Sequence, residues 1–125
     1  MGQQEVLLIL LAVLKESRMA LGIEYHPNLY LGKGINEKKL DKIKKKLENR
    51  PVFSGVFLVS LSRNPYDQLE IYEARQLCQP YYQKHPPYVV GIAKNREEAF
   101  ALVEEITAGC LQARGDCALK EYLRC

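Results

Sequence analysis

The stretch YVVGIAKNREEAFALVEEI, residues 88–106, decides the fold class, because it reads as a buried strand that passes through a glycine into a helix. Asn95 opens the helix, and Glu98 three residues later has the spacing of a capping box. An apolar stripe with helical spacing follows, formed by Ala99, Leu102, Val103, Ile106 and Cys110. Gly115 is a typical helix end. The stretch therefore predicts a strand and a helix joined by a short turn.

A second junction of the same kind occurs earlier in the chain. LYLGKGI, residues 29–35, predicts a short strand, and Asn36 caps a helix that runs to about Glu48. When the two junctions are aligned, Gly32 corresponds to Gly91 and Asn36 to Asn95. The correspondence supports two β-α-β units, although helix starts everywhere draw on the same few residue types.

Each predicted helix is followed by a predicted strand, VFSGVFLVSLS at residues 52–62 and CALKEYL at residues 117–123. Two such units give a sheet with both helices packed on one face. The predicted fold is α+β, a single domain over residues 1–125 with a ferredoxin-like sheet and an extra N-terminal helix. A basic first helix and an acidic second helix would then lie side by side.

The connecting segments are less regular. Residues 26–28, His-Pro-Asn, predict a loop. Residues 69–73 predict a strand, and a short helix follows it, which Pro80 would interrupt.

The N-terminal segment carries nine apolar residues in a row, VLLILLAVL at residues 6–14. A membrane-spanning helix needs about 20 residues, and no basic start or cleavage site indicates a secretory signal. Residues 1–22 therefore predict a helix that is buried or forms a subunit interface. We expect a cytoplasmic, bacterial-like protein with reduced thiols at its four cysteines, since none forms a CxxC pair. No metal site and no cofactor are predicted.

The candidate anion site is the GKG turn before the first helix, formed by Gly32, Lys33, Gly34 and Asn36. Backbone N–H groups and the positive end of a helix dipole attract phosphate, and a lysine adds charge. The competing interpretation is that the two glycines only turn the chain.

The candidate nucleic-acid site is a lysine cluster on the predicted first helix, Lys38, Lys39, Lys42, Lys45 and Lys46. The sequence pI of about 8.6 is below the value above 9 that is typical of dedicated nucleic-acid binders. A solvated helix face is the competing interpretation.

A third candidate is a pocket formed by Tyr81, Tyr82, His85 and Tyr88. The same rings can instead pack on a sheet edge or on a second subunit. Cys78 and His85 are close in sequence, but Cys78 lies among apolar neighbours and is expected to be a buried structural cysteine. No catalytic motif was found, so an enzymatic activity is not predicted.

These features leave three hypotheses of function. The first is a non-enzymatic binding or assembly domain that forms a homodimer through residues 6–14 and 80–88. The second is a domain that binds a small anionic ligand at residues 32–36. The third is nucleic-acid binding through residues 38–46, which we consider the weaker alternative.

Overall fold

A computed structural model of the protein describes residues 23–49 and 55–124. The predicted N-terminal helix, residues 1–22, lies outside this range, and so does the start of the strand predicted over residues 52–62. Homodimer formation through residues 6–14 therefore stays a prediction. No helix in the described ranges is long and apolar enough to cross a membrane.

The chain forms an α+β domain around one mixed, four-stranded sheet. The strands are β1 (Glu24–Leu31), β2 (Phe57–Leu61), β3 (Leu69–Glu73) and β4 (Tyr88–Ala93), and they lie in the order β1-β4-β2-β3. β1 is parallel to β4, whereas β2 is antiparallel to both of its neighbours. This order does not confirm the ferredoxin-like arrangement.

Four α-helices and one 3-10 helix flank the sheet in the described part of the chain. They are α1 (Glu37–Asn49), the 3-10 helix (Ala74–Cys78), α2 (Pro80–Lys84), α3 (Arg96–Arg114) and α4 (Leu119–Arg124). The strand and short helix predicted after residue 68 are confirmed. Pro80 does not interrupt a helix but begins α2, because the first turn of a helix leaves its N–H groups unpaired and tolerates proline.

Both predicted helix starts are confirmed, but the capping box at Asn95 is only half formed, because the Glu98 carboxylate accepts from the Lys94 amide at 3.2 Å instead of the Asn95 amide. The Asn36 side chain accepts a hydrogen bond from the Lys39 amide at 2.9 Å, and the Asn95 side chain accepts one from the Glu98 amide at 2.8 Å. α3 ends at Gly115, whose φ of 79° lies in the left-handed region. These local signals lie within a few residues of one another, so the sequence alone indicates them.

The prediction that both helices pack on one face of the sheet is wrong. α3 and α4 cover one face, where Val90, Ala93, Ile106 and Leu123 are buried. α1 and the 3-10 helix cover the other face, and α2 lies there with them. The second cluster is Ile35, Leu47, Val56, Leu58, Tyr72, Ala74, Leu77, Val89 and Ile92, with Tyr82 packed against it. The helices are divided between the two faces because β4 is apolar on both sides, and each side needs a layer of helices to cover it.

Two further segments differ from the prediction. Within the predicted strand at residues 117–123, the chain from Leu119 onward forms α4 instead, because Leu119 and Leu123 are four residues apart and are buried together. Residues 26–28 lie inside β1, where they coincide with a register irregularity between Tyr25 and Tyr30. Proline is tolerated there because β1 stands at the edge of the described sheet.

Candidate ligand-binding sites at the two ends of the sheet

The two glycine junctions meet at the carboxyl end of β4. The Gly32 amide donates to the Ile92 carbonyl at 2.9 Å, which extends the parallel pairing of β1 and β4. A Cβ atom on Gly32 would collide with the Glu98 carboxylate, and one on Gly34 would collide with the Lys94 side chain. Both obstructing groups are the ends of flexible side chains, so glycine eases the close approach of the two junctions but is not strictly required there.

A cavity of about 370 Å³ lies beside this contact, and we call it the acidic cleft. Its charged lining consists of Glu97, Glu98, Glu105 and Lys33. Three carboxylates against one ammonium group repel a phosphate. The amides of Ile35 and Lys39 are already paired with the Gly32 carbonyl and the Asn36 side chain. The geometry at Gly32, Lys33, Gly34 and Asn36 thus favours the interpretation in which the glycines turn and pack the chain.

The lysines of the predicted nucleic-acid site are exposed on the outer side of α1. They are Lys38, Lys39, Lys42, Lys45 and Lys46. The Tyr25 ring, which α1 contacts, is half-buried, and the Lys44 ammonium group lies over it at 4.8 Å from the ring centre. Burial, followed by the charge of Glu48, raises the pKa of Tyr25 to about 12. Because that ring is not open to a base, α1 offers charge without the stacking platform that single-stranded nucleic acid needs.

The predicted aromatic pocket is divided in two. Tyr81 lies edge-on to Tyr82 with ring centres 5.1 Å apart, and 4.8 Å from the ring of His85. These three rings line a crevice of about 10 Å³, which is no larger than one water molecule requires. Tyr88 is not part of this crevice but lines the neighbouring cavity.

That neighbouring cavity, of about 450 Å³, lies at the amino end of β4, and we call it the basic cleft. Its lining residues are Leu61, Ser62, Arg63, Pro86, Pro87, Tyr88, Lys120 and Arg124. Three of the eight are cationic and none is a carboxylate. It is the site in the described part of the chain with the clearest preference for one kind of ligand.

Neutral groups hold the three cations in place. An Arg63 Nη atom donates to the Pro86 carbonyl at 2.9 Å, and Lys120 Nζ donates to the Asn64 carbonyl at 2.8 Å. The Arg124 guanidinium lies over the Tyr88 ring at 5.8 Å. Since a carbonyl or a ring orients a cation without neutralising it, the positive charge stays available to a ligand.

The fold creates the basic cleft by fastening α4 to the β2–β3 loop. Gln68 Nε2 donates to the Cys117 carbonyl at 2.7 Å, and Gln68 Oε1 accepts from the Leu119 amide. Leu119 and Leu123 are buried, so Lys120 and Arg124 follow each other along the adjacent flank of α4. One glutamine thus positions two of the three cations.

Sequence reasoning missed this site because residues 117–123 were predicted to form a strand. A signal was present: Leu119 with Leu123, and Lys120 with Arg124, have the four-residue spacing of a helix. The partners from residues 61–64 are more than 50 positions away in the chain; Lys120 and Asn64, which share a hydrogen bond, are 56 residues apart. Only the folded chain brings them together.

The described cysteines differ in their exposure. Cys110 and Cys117 are free thiols. Cys78 is exposed, so the expectation that it is buried is wrong. Cys110 is buried, and burial, aided by the nearby Asp116, raises the pKa of its thiol. In the described ranges no three residues of the type His, Cys, Asp or Glu come together as metal ligands.

The chain matches no protein-family model. Searches of the curated proteins and of the solved structures gave no significant match either.

Proposed function

We propose that this protein is a non-enzymatic binding domain that holds a small organic anion in the basic cleft. The observation that carries the proposal is the convergence of Arg63, Lys120 and Arg124 on one cavity without a lining carboxylate. Like charges held close together repel each other, and a bound anion relieves that repulsion.

The shape of the cavity supports an organic ligand over a bare ion. Its volume of about 450 Å³ lies in the range of about 300–1,000 Å³ that is usual for ligand sites. Leu61, Pro86 and Pro87 provide apolar walls, whereas the cations provide fixed donors. Guanidinium groups pair in a fork with carboxylate or phosphate, so the ligand class is a carboxylated or phosphorylated metabolite.

The composition of the cleft favours binding over catalysis. Among its lining residues there is no thiol, imidazole or carboxylate that can act as nucleophile or base. The Ser62 hydroxyl already donates to a Glu70 carboxylate oxygen at 3.2 Å and accepts from the Asn64 amide at 3.0 Å. Its role is therefore to shape the loop.

The test measures thermal unfolding and calorimetric binding with glucose 6-phosphate, citrate and inorganic phosphate, and uses glucose as the neutral control. A ligand at about 100 times its Kd stabilises the folded state by about 2.7 kcal/mol. Stabilisation by glucose 6-phosphate alone assigns the cleft to phosphate esters, and stabilisation by citrate alone assigns it to carboxylates.

The matched variants are Arg63→Gln, Arg124→Gln and, as a control on the far face, Lys39→Gln. Each arginine variant should weaken binding about 10- to 100-fold, because a hydrogen bond to a charged group contributes about 1.5–3 kcal/mol. Lys39→Gln should bind like the parent. If no organic anion stabilises the protein, or if the double arginine variant still binds like the parent, the proposal is wrong.

A further inference from the structure

Outside the basic cleft, α1 and α3 carry exposed surfaces of opposite charge. The two helices cover opposite faces of the sheet, so their opposite charges cannot pair within one chain. Lys38, Lys42 and Lys45 are exposed and form no ion pair with any described residue. We call these three residues the lysine face of α1.

The complementary surface lies along α3. Glu97, Phe100 and Glu104 are exposed and follow one another at helical spacing, and we call them the acidic ridge of α3. Phe100 is 53% exposed between the two carboxylates, so its ring is available to a partner. The basic residues of α3 are engaged elsewhere, since Arg96 lies over the Phe57 ring and Arg114 pairs with Asp116 and Glu121.

The two surfaces match in register. Lys38 and Lys45 are seven residues apart, as are Glu97 and Glu104, and seven residues span about 10.5 Å of helix. In an antiparallel pair, Lys38 faces Glu104 and Lys45 faces Glu97. The position between them then sets Lys42 opposite Phe100, where its methylene stem covers the ring and its ammonium group forms a cation–π contact.

We infer that the lysine face of α1 in one copy docks on the acidic ridge of α3 in a second copy. Each chain then presents the lysine face of α1 on one side of its sheet and the acidic ridge of α3 on the other. Such a heterologous contact does not close in a dimer of two compact domains, and it generates rings or filaments. The oligomers should therefore become larger as the protein concentration rises, and should pass through more than one size.

A second copy fits the lysine face better than a nucleic acid does. Glu37, Asp41 and Glu48 also lie on α1 and weaken its attraction for a nucleic acid and for an acidic protein surface alike, so the choice depends on the partner surface. A nucleic acid also leaves the acidic ridge and Phe100 without a partner. The second copy covers both surfaces at once.

Sedimentation velocity of the full chain tests the inference at two ionic strengths. At about 0.01 M salt the screening length is about 30 Å, and at about 1 M it is about 3 Å. We expect oligomers that grow with protein concentration at low salt and dissociate at high salt. The Phe100→Ser variant should associate about tenfold more weakly, equivalent to about 1.4 kcal/mol.

Charge reversal gives the sharper arm of the experiment. The variants K38E/K42E and E97K/E104K should each be monomeric at low salt, and an equimolar mixture of the two should associate again, because each supplies the surface that the other has lost. Lys84→Glu on α2 and Arg124→Gln in the basic cleft should associate like the parent. Circular dichroism is used to check that each variant folds.

Three outcomes overturn the inference: a parent chain that is monomeric at low salt, association that persists at about 1 M salt, or reversed variants that do not associate when mixed. In the second case the contact is not electrostatic, and the interface predicted at residues 6–14 is the next one to test. If the parent is monomeric and binds a DNA duplex with a steep salt dependence, the lysine face serves nucleic acid instead. The anion-binding proposal is untouched by any of these results.

Discussion

Gln68 holds the basic cleft together, and replacing it with alanine should impair both stability and binding. The Gln68 Nε2 atom donates to the Cys117 carbonyl at 2.7 Å, and the Oε1 atom of the same amide accepts from the Leu119 amide. The two hydrogen bonds together fix the start of α4. Each hydrogen bond contributes about 0.5–1.5 kcal/mol. Because both lie near solvent, water replaces part of the loss, and Gln68→Ala should destabilise the protein by about 1–2 kcal/mol.

The matched control is Gln112→Ala, which removes an exposed glutamine from the outside of α3. Alanine favours helix at least as well as glutamine, so this control should change the free energy of unfolding by less than about 0.5 kcal/mol. Urea unfolding measures the difference between the two variants. Near neutral pH, at a temperature where both are folded, calorimetry with the anion identified for the parent measures affinity.

Gln68→Ala should also weaken anion binding by about tenfold, since Lys120 and Arg124 lose their fixed position and must be ordered again when the ligand binds. Equal stability of Gln68→Ala and Gln112→Ala would mean that Gln68 does not fasten α4. A loss of stability without any loss of affinity would mean that the position of α4 does not set the cleft, and the reasoning from loop to site would be wrong.

Two further predictions concern the tyrosines of β1. The buried Tyr25 hydroxyl has no hydrogen-bond partner among the residues that the structure describes. Tyr25→Phe should therefore leave the free energy of unfolding in urea unchanged or raise it by up to about 1 kcal/mol. A loss above about 1 kcal/mol would show that the hydroxyl has a partner outside the described residues. Burial is the main cause that raises the pKa values of Tyr25 and Tyr30 to about 12. The charge of Glu48 adds to the rise for Tyr25, and a hydrogen bond with Tyr122 that favours the protonated phenol adds to it for Tyr30. Because the folded state keeps these protons longer than an unfolded chain with a pKa near 10, the associated stability is complete below about pH 10 and falls between about pH 10 and 12. Circular dichroism from pH 8 to 12 measures how the folded fraction declines. The decline should be less steep in Tyr25→Phe than in the parent. If the midpoint of alkaline unfolding is the same in both proteins, the prediction is wrong.

Local signals in the sequence predict the elements at the two junctions well. Asn36 and Asn95 lie directly at the helix starts that they cap, and Gly115 ends α3. Each of these features depends on a hydrogen bond or a φ angle within a few residues. Prediction from sequence succeeds where the residues that determine a feature are this close together in the chain.

The layer arrangement could not be predicted in the same way. β4 is buried on both faces, but its apolar sequence does not indicate which helix covers which face. The segment at residues 117–123 shows a similar ambiguity, because its alternation of apolar and polar residues also contains the four-residue spacing of Leu119 and Leu123. Burial against β2 and β4 decides in favour of the helix. The basic cleft depends on that decision and could not be predicted without it.

The position of the basic cleft follows from the way the parallel strands end. In open sheets with parallel strands, ligands usually bind beyond the carboxyl ends of the strands, near the helix starts. Here the two parallel strands are adjacent, and their junctions pack directly on each other through Gly32, Gly34 and Glu98. The carboxylates that complement the α3 dipole make that end acidic.

The opposite end of the sheet has a different construction. β2 runs antiparallel to β4, so the end of β2 and the start of β4 lie together, and no long helix begins between them. Arg63 after β2 and the α4 cations can therefore gather there without opposing carboxylates in the cleft. The same sheet thus separates its charges, with an acidic end that is used for packing and a basic end that is open to a ligand. This separation is the physical reason to look for the ligand at the amino end of β4, where a search guided by the glycine-rich turn would not look.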